Sequence, residues 1–430
     1  MRISGPLSLS IAQSILKITP RPRYAHYGAF YAADNEILDQ GITLFFPGPH
    51  SFTGEDVVEL QAHGGPVILD ELLKQVLALG AIPATPGEFS QRAFLNGKID
   101  LTQAEAIADL ISASSSQAAR AAQHSLQGKF AEKINELVDA VIELRKYVEA
   151  ALDFPEEEID FLKESNVKQQ IETLMAQVKE VLKTAQQGAL LQAGMTVVIA
   201  GLPNAGKSSL LNCLVEKEIA IVTDIAGTTR DILREHIHID GLPLHIIDTA
   251  GLHIHGDKVE QEGIRRALQQ IANADRVLLV VDSTKIKTNK IEKLWPHEIG
   301  PLPDITKITL VRNKIDLNPT LPADNADCPI IDISAQTGTG IKELREHLKT
   351  CMGYQGTNES QFSARRRHLD ALNRGLSALQ NGYDQLVQYN AGELLAQELR
   401  IAQESLGEIT GKFTSDDLLG EIFSSFCIGK

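Results

Sequence analysis

Gly201-Leu202-Pro203-Asn204-Ala205-Gly206-Lys207-Ser208-Ser209 is the stretch that decides the fold of this 430-residue chain. It fits the pattern G-x-x-x-x-G-K-[S/T], and its setting fits too. The apolar run Thr196 to Ala200 precedes it, and Ser209 to Val215 continues with helical character. Glycines let backbone N–H groups turn inward around an anion, and a helix start beyond them adds positive potential. In such a loop Lys207 reaches the outer phosphates of a nucleoside triphosphate, and the Ser208 hydroxyl ligates Mg²⁺. An ordinary Gly-rich turn is the plain alternative, and the succession of strand, loop and helix argues against it.

Further along, Asp248-Thr249-Ala250-Gly251 follows the apolar run Leu244 to Ile247. An aspartate ending a buried strand beside a phosphate loop can hold the Mg²⁺ shell, and the Gly251 N–H can sense the outermost phosphate. Asn313-Lys314-Ile315-Asp316 follows Ile308 to Val311, and Ser334-Ala335-Gln336 follows Ile330 to Ile333. The Asp316 carboxylate can accept from guanine N1–H and the 2-amino group together. Adenine lacks that donor pair, so ATP leaves a buried acceptor unpaired. Backbone N–H groups of 334–336 can bind the guanine O6. Apolar runs alternating with helix-like segments, including Val277 to Val281, predict an α/β domain with a mostly parallel sheet over 191–354.

The flanks read differently. Residues 1–96 mix short apolar runs with turn signals and predict an α+β domain, with strands at Ile42 to Phe46 and Val57 to Gln61 and a helix from Val67 to Leu79. Residues 97–190 and 355–430 are helical, with Leu101, Ala104, Ile107, Ala108 and Ile111, and Ile134, Leu137, Val138 and Val141, at helical spacing. The expected architecture is multidomain: an α+β domain, a helical domain made of two distant segments, and a nucleotide domain inserted between them.

Composition bounds the class. Hydrophobic residues make up 43% and charged residues 23%, as in globular domains. The four cysteines include no C-x-x-C pair, which argues against a zinc or disulfide framework and fits a reducing cytoplasm. No run approaches the roughly 18 apolar residues of a membrane span. With 41 Lys plus Arg against 56 Asp plus Glu, the net charge of −15 repels polyanions at long range. A nucleic-acid substrate therefore requires a local basic patch or a partner's surface. The run Arg365-Arg366-Arg367-His368 reads first as a solvated helix start and second as a phosphate contact.

Many GTPases place a water-orienting Gln just after the D-x-x-G glycine, but here Leu252 stands there. Hydrolysis then needs another device. Asn204 inside the phosphate loop, and the oxygen-rich stretch Thr223-Asp224-Ile225-Ala226-Gly227-Thr228-Thr229, can cage a monovalent cation where an arginine finger otherwise puts its charge.

These motifs occur within GLPNAGKSSLLN, IVTDIAGTTRD, HIIDTAG and NKID. Outside the nucleotide domain stand FPGPHSFTGEDVVELQAHGGP, PGEFSQRAFLNGKIDLTQAEAIADLI, LDFPEEEIDF and the terminal FTSDDLLGEIFSSFCIGK. In all of them the chain closely resembles the MnmE (TrmE) family of tRNA-modification GTPases. The resemblance implies K⁺ held by Asn204, Thr223, Ile225 and Thr228, Mg²⁺ held by Ser208 and Thr229, and a water-positioning role for Glu260. It implies hydrolysis with two nucleotide domains face to face. It also implies an N-terminal domain that dimerises and binds a reduced folate, 5-formyl- or methylene-tetrahydrofolate, through Arg2, Glu59, Lys98 and Lys430. Cys427 matches a cysteine to which a part in the modification chemistry has been ascribed, but it reads first as a small residue in a packed tail and only second as a reacting group.

The family's work implies a homodimer acting with an MnmG-type FAD protein on carbon 5 of the tRNA wobble uridine. Family members usually carry a Gly-rich segment ahead of the stretch matching Arg2-Ile3-Ser4-Gly5-Pro6, so the expectation is a start upstream of Met1 or a missing edge strand. Two other classes fit parts of the sequence: a GTP-dependent assembly switch, and a folate-dependent aminomethyltransferase in which GTP only regulates.

Overall fold

The computed structural model describes residues 1–153, 166–215, 234–239, 242–248, 271, 274–296, 301–317, 322, 327–351, 362–412, 416–424 and 426. Two compact units emerge. One comprises Met1–Ile111, Ser125–Lys179 and Asp370–Lys430; the other comprises Ser112–His124 and Glu180–Leu369.

The first unit opens with β1 (Arg2–Ser4), α1 (Ser8–Leu16), β2 (His26–Tyr31), β3 (Ile37–Phe46), β4 (Val57–Gln61), α2 (Pro66–Ala78) and α3 (Glu88–Leu95). The strands form one antiparallel sheet in the order β1-β4-β3-β2. Along β3 the buried residues Gly41, Thr43 and Phe45 alternate with more open neighbours, as a half-buried strand requires. Phe30, Phe45, Val58 and Leu60 from the sheet close on Ile11 and Ile15 of α1 and on Leu72 and Val76 of α2. The expected strands and helix are present. The edge strands β1 and β2, α1 and α3 were not expected: β1 is three residues long and Gly28 interrupts β2, whereas α1 does carry Ile11, Ala12, Ile15 and Leu16 at helical spacing.

The helices α4 (Leu101–Ser112), α5 (Ser116–Leu126), α6 (Lys129–Asp153) and α7 (Val167–Ala193) follow. In α6 the buried Ile134, Leu137, Val138, Val141, Leu144 and Val148 form one stripe. The second unit contributes β5 (Met195–Ala200), α8 (Lys207–Val215), β6 (Arg234–Ile239), β7 (Leu242–Asp248), β8 (Arg276–Asp282), the single turn α9 (Ile291–Leu294), β9 (Ile308–Asn313), β10 (Ile330–Asp332) and α10 (Ile341–Cys351). The chain closes with α11 (Arg366–Tyr389), α12 (Gly392–Thr410) and α13 (Asp416–Ser424).

The late helices complete the core that the early ones began. Leu395, Leu399, Ala402 and Leu406 of α12 are buried, α12 packs along α6, and Arg145 donates to Gln403 Oε1 at 2.9 Å across 258 residues of sequence. Leu419, Ile422, Phe423 and Phe426 pack on Leu101, Ala104 and Phe94. The helical domain is thus discontinuous, with the nucleotide fold inserted. The run from Arg365 opens α11: His368 is buried, and its Nδ1 accepts from the Arg365 N–H at 3.0 Å.

The inserted sheet has the order β10-β9-β8-β5-β7-β6, parallel except for β6. Its central strands are buried on both faces, Val197 and Ile199 toward one core and Val198 and Ala200 toward the other. The strand order reverses beside β5, so the crevice at the carboxyl ends of β5, β8 and β9 is where this fold takes a ligand.

Candidate functional site

β5 ends at Ala200 and the chain turns at once. Gly201 has φ 146°, and a Cβ there would run into the Val280 carbonyl of β8. Asn204 at φ 63° and Gly206 at φ 96° continue the turn in conformations that favour glycine or asparagine. α8 then begins at Lys207, two residues before the expected start, so its free N–H groups open onto the loop. Lys207 is buried, and its Nζ donates to the carbonyls of Gly201 at 2.8 Å and Leu202 at 3.1 Å. The ammonium is therefore held against the first two residues of the loop. Ser208 and Ser209 are exposed on the first turn of α8, and Ala205 is buried beneath the loop.

The ends of β9 and β10 fasten this loop. Asn313 is 2% exposed. Its Nδ2 donates to the Ala205 carbonyl at 3.0 Å, while its Oδ1 accepts from the N–H groups of Lys314 at 2.8 Å and Ala335 at 3.0 Å. One amide thus joins the phosphate loop to both segments read as base-binding. Lys314 Nζ donates to the Asn204 carbonyl at 2.9 Å. Asp316 is exposed on the turn that follows, and Gln336 is exposed beyond the buried Ser334 and Ala335. Ser334 Oγ accepts from the Thr337 N–H at 3.2 Å, holding that turn.

Asp282, absent from the sequence reading, belongs to the same constellation. It ends β8 beside Asn313 and pairs with Lys314 Nζ at 2.7 Å. Burial pushes its carboxyl up, but hydrogen bonds from Lys314 and Thr284 more than offset that and hold the pKa below the ordinary value. The signal was present in the sequence, since Asp282 closes an apolar run as Asp248 does. Cys213, also not singled out, donates from Sγ to the Ala335 carbonyl at 2.8 Å.

Asp248 ends β7. Thr223 to Thr229, Thr249, Ala250, Gly251, Glu260, Cys427 and Lys430 lie outside the described residues. Among the described residues no three His, Cys, Asp or Glu side chains gather as metal ligands, and no helix is long and apolar enough to cross a membrane.

A second cluster lies in the N-terminal unit. Arg2 and Glu59 face each other across β1 and β4, with Nε and Glu59 Oε1 2.9 Å apart. The Arg2 guanidinium lies 5.8 Å from the ring centres of both Phe52 and Phe89. Lys98 does not join that pair; its Nζ donates to the Pro49 carbonyl at 2.9 Å, in the loop that also carries Phe52. Behind Arg2 is a cavity of about 270 Å³ lined by Ile3, Ile11, Val76, Phe89 and Arg92. Arg92, which the sequence reading passed over, bridges Glu88 at 2.6 Å and Glu55 at 3.1 Å. The hydrogen bonds it donates to Glu88 raise its pKa. Ser4 Oγ donates to Glu55 at 2.8 Å, so this network ties β1 to α3.

The family model of the MnmE helical domain matches residues 101–427, and that of the GTP-binding protein TrmE N-terminus matches residues 1–98. The tRNA modification GTPase MnmE of Proteus mirabilis (strain HI4320) is 60% identical over 433 residues, covering 100% of this chain and 95% of its own. That of Ectopseudomonas mendocina (strain ymp) is 59% identical with the same coverage. A solved G domain of the FeoB iron transporter of T. maritima is 24% identical over 36% of this chain and 98% of its own, with a TM-score of 0.27.

Proposed function

The chain belongs to the MnmE family of tRNA modification GTPases, and from that premise we propose that it hydrolyses GTP in a K⁺-dependent reaction coupled to tRNA modification. With an MnmG-type flavoprotein it adds an aminomethyl or carboxymethylaminomethyl group to carbon 5 of the wobble uridine. The observation that carries the reading is Asn313, whose single amide binds the phosphate loop and the two base-side segments together. A purine nucleotide whose base and phosphates are read at once is what such a link serves.

The donor set suits the expected ions. Ser208 stands exposed at the helix start, and Asn204 is exposed in a left-handed conformation on the rim of the phosphate loop. Hydroxyl and amide oxygens favour hard cations. Mg²⁺ at Ser208 and Thr229, and K⁺ at Asn204, Thr223, Ile225 and Thr228, would supply positive charge to the phosphoryl group in transfer. In this reading Glu260 orients water, Asp316 selects guanine, and Asp248 supports the Mg²⁺ shell. Residues 1–96 form the dimerising, folate-binding domain of a cytoplasmic homodimer. Arg2, Glu59, Lys98 and Lys430 meet the folate, and the aromatic rings under Arg2 beside a cavity suit a flat heterocycle. Residues 97–190 and 355–430 form the helical domain and 191–354 the GTPase domain.

Two measurements test this. GTP turnover by the full chain should rise when K⁺ replaces Na⁺ and vanish in Lys207→Ala. Mass spectrometry of tRNA nucleosides should show the wobble modification lost on deletion of the gene and not restored by that variant. Equal turnover in both salts, or unaltered tRNA, overturns the reading.

A further inference from the structure

We propose that Asp282 is a positioning residue for the nucleotide site, fixing Lys314 and through it the Asn204 segment of the phosphate loop. The inference rests on the guanine-nucleotide reading of that site and assigns it a member that neither the motifs nor the expected ligand contacts include.

The two carboxylate oxygens of Asp282 divide their work. Oδ1 accepts from the N–H of Thr284 at 3.1 Å and its hydroxyl at 2.7 Å. That fixes the side-chain rotation and leaves Oδ2 facing Lys314 Nζ at 2.7 Å. Lys314 itself has φ 64°, a conformation unfavourable for lysine. Two bonds maintain it: Ser283 Oγ donates to the Lys314 carbonyl at 3.0 Å, and the Lys314 N–H donates to Asn313 Oδ1 at 2.8 Å. The stretch Asp282-Ser283-Thr284 thus holds both the backbone and the ammonium of Lys314.

The held ammonium then acts on the phosphate loop. It donates to the carbonyl of Asn204, which also sits in the left-handed region at φ 63°. A lysine bound to one neutral carbonyl keeps most of its rotamer freedom; a charge-assisted bond to a fixed carboxylate removes it. The cost of ordering this long side chain falls on folding, so nucleotide binding does not bear it. Asp316, two residues on, shares the turn so fixed. The competing account is that Asp282 only caps its own turn, where it also accepts from Lys285 through its carbonyl at 3.0 Å.

The test compares the full-length wild type with Asp282→Ala, Asp282→Asn, Lys314→Ala and the double variant Asp282→Ala/Lys314→Ala. Release of a fluorescent GDP analogue is followed by displacement, alongside the thermal midpoint. Release should quicken about tenfold in Asp282→Ala, because a charge-assisted bond is lost. Asp282→Asn keeps the shape and an acceptor, so its release should quicken less, and it reads the charge alone should the alanine variant not fold. The double variant should match Lys314→Ala, since Asp282 acts through that lysine. Unchanged release in Asp282→Ala and Asp282→Asn with a lowered midpoint, or fully additive effects in the double variant, overturns the proposal. Failure of the wild type to bind the analogue overturns instead the nucleotide reading beneath it.

Discussion

The side-chain amide of Asn313 fills the space into which a Cβ at Gly206 would project, so the phosphate loop and the base-side segment are packed directly against one another. Gly206 also has φ 96°, closed to side-chain-bearing residues. Gly206→Ala therefore meets backbone strain and displaces a buried amide at once. Strain alone costs about 1–2 kcal/mol, so affinity for a fluorescent GDP analogue should fall by about tenfold or more. Wild-type affinity in this variant would show that the packing is not required.

At Arg2 and Glu59, stability and binding should separate. The pair is partly exposed, with Arg2 at 38% and Glu59 at 23% side-chain exposure, so solvent screening leaves it worth about 0–1 kcal/mol. Glu59→Gln should barely move the unfolding midpoint. Its titration with a tetrahydrofolate, followed by fluorescence, should show binding weakened severalfold if the carboxylate meets the ligand. Unaltered folate binding would remove Glu59 from that site.

The depressed pKa of Asp282 fixes the sign of a pH effect. A carboxyl whose pKa is lower folded than unfolded contributes stability above the unfolded value, near about 4, and loses it as pH falls through the lower folded value. Release of the GDP analogue should thus be flat from pH 8 to about pH 5 and quicken only at more acid pH. The acid rise should be smaller in Asp282→Asn. Equal acid rises in the two proteins would show that another group is responsible.

Gly188 lies inside α7, where alanine would normally help a helix by up to about 1 kcal/mol. Here a Cβ would strike the Phe362 carbonyl, and that backbone cannot swing away because the Ser363 N–H is bonded to the Ala121 carbonyl at 3.1 Å. Overpacking costs of about 1–3 kcal/mol should outweigh the propensity gain. Gly188→Ala should lower the midpoint by several degrees in calorimetry; a raised midpoint would mean the returning chain yields.

The phosphate loop, the alternating strands and the stripe of α6 could be read directly from the sequence, because each is written in neighbouring residues: a local pattern of glycines, apolar runs and helical spacing. Residues 201–208, 313–316 and 334–336 were legible as candidates for the same reason. That Asn313 clasps Ala205 across 108 residues, that Asp282 locks Lys314, and that α12 completes the core begun by α6 are different in kind. Those relations depend on which strand ends and helix faces lie side by side, and local propensity carries no term for partners so distant along the chain. The order of residues determines which groups are available; only the folded sheet and helix packing decide which of them touch.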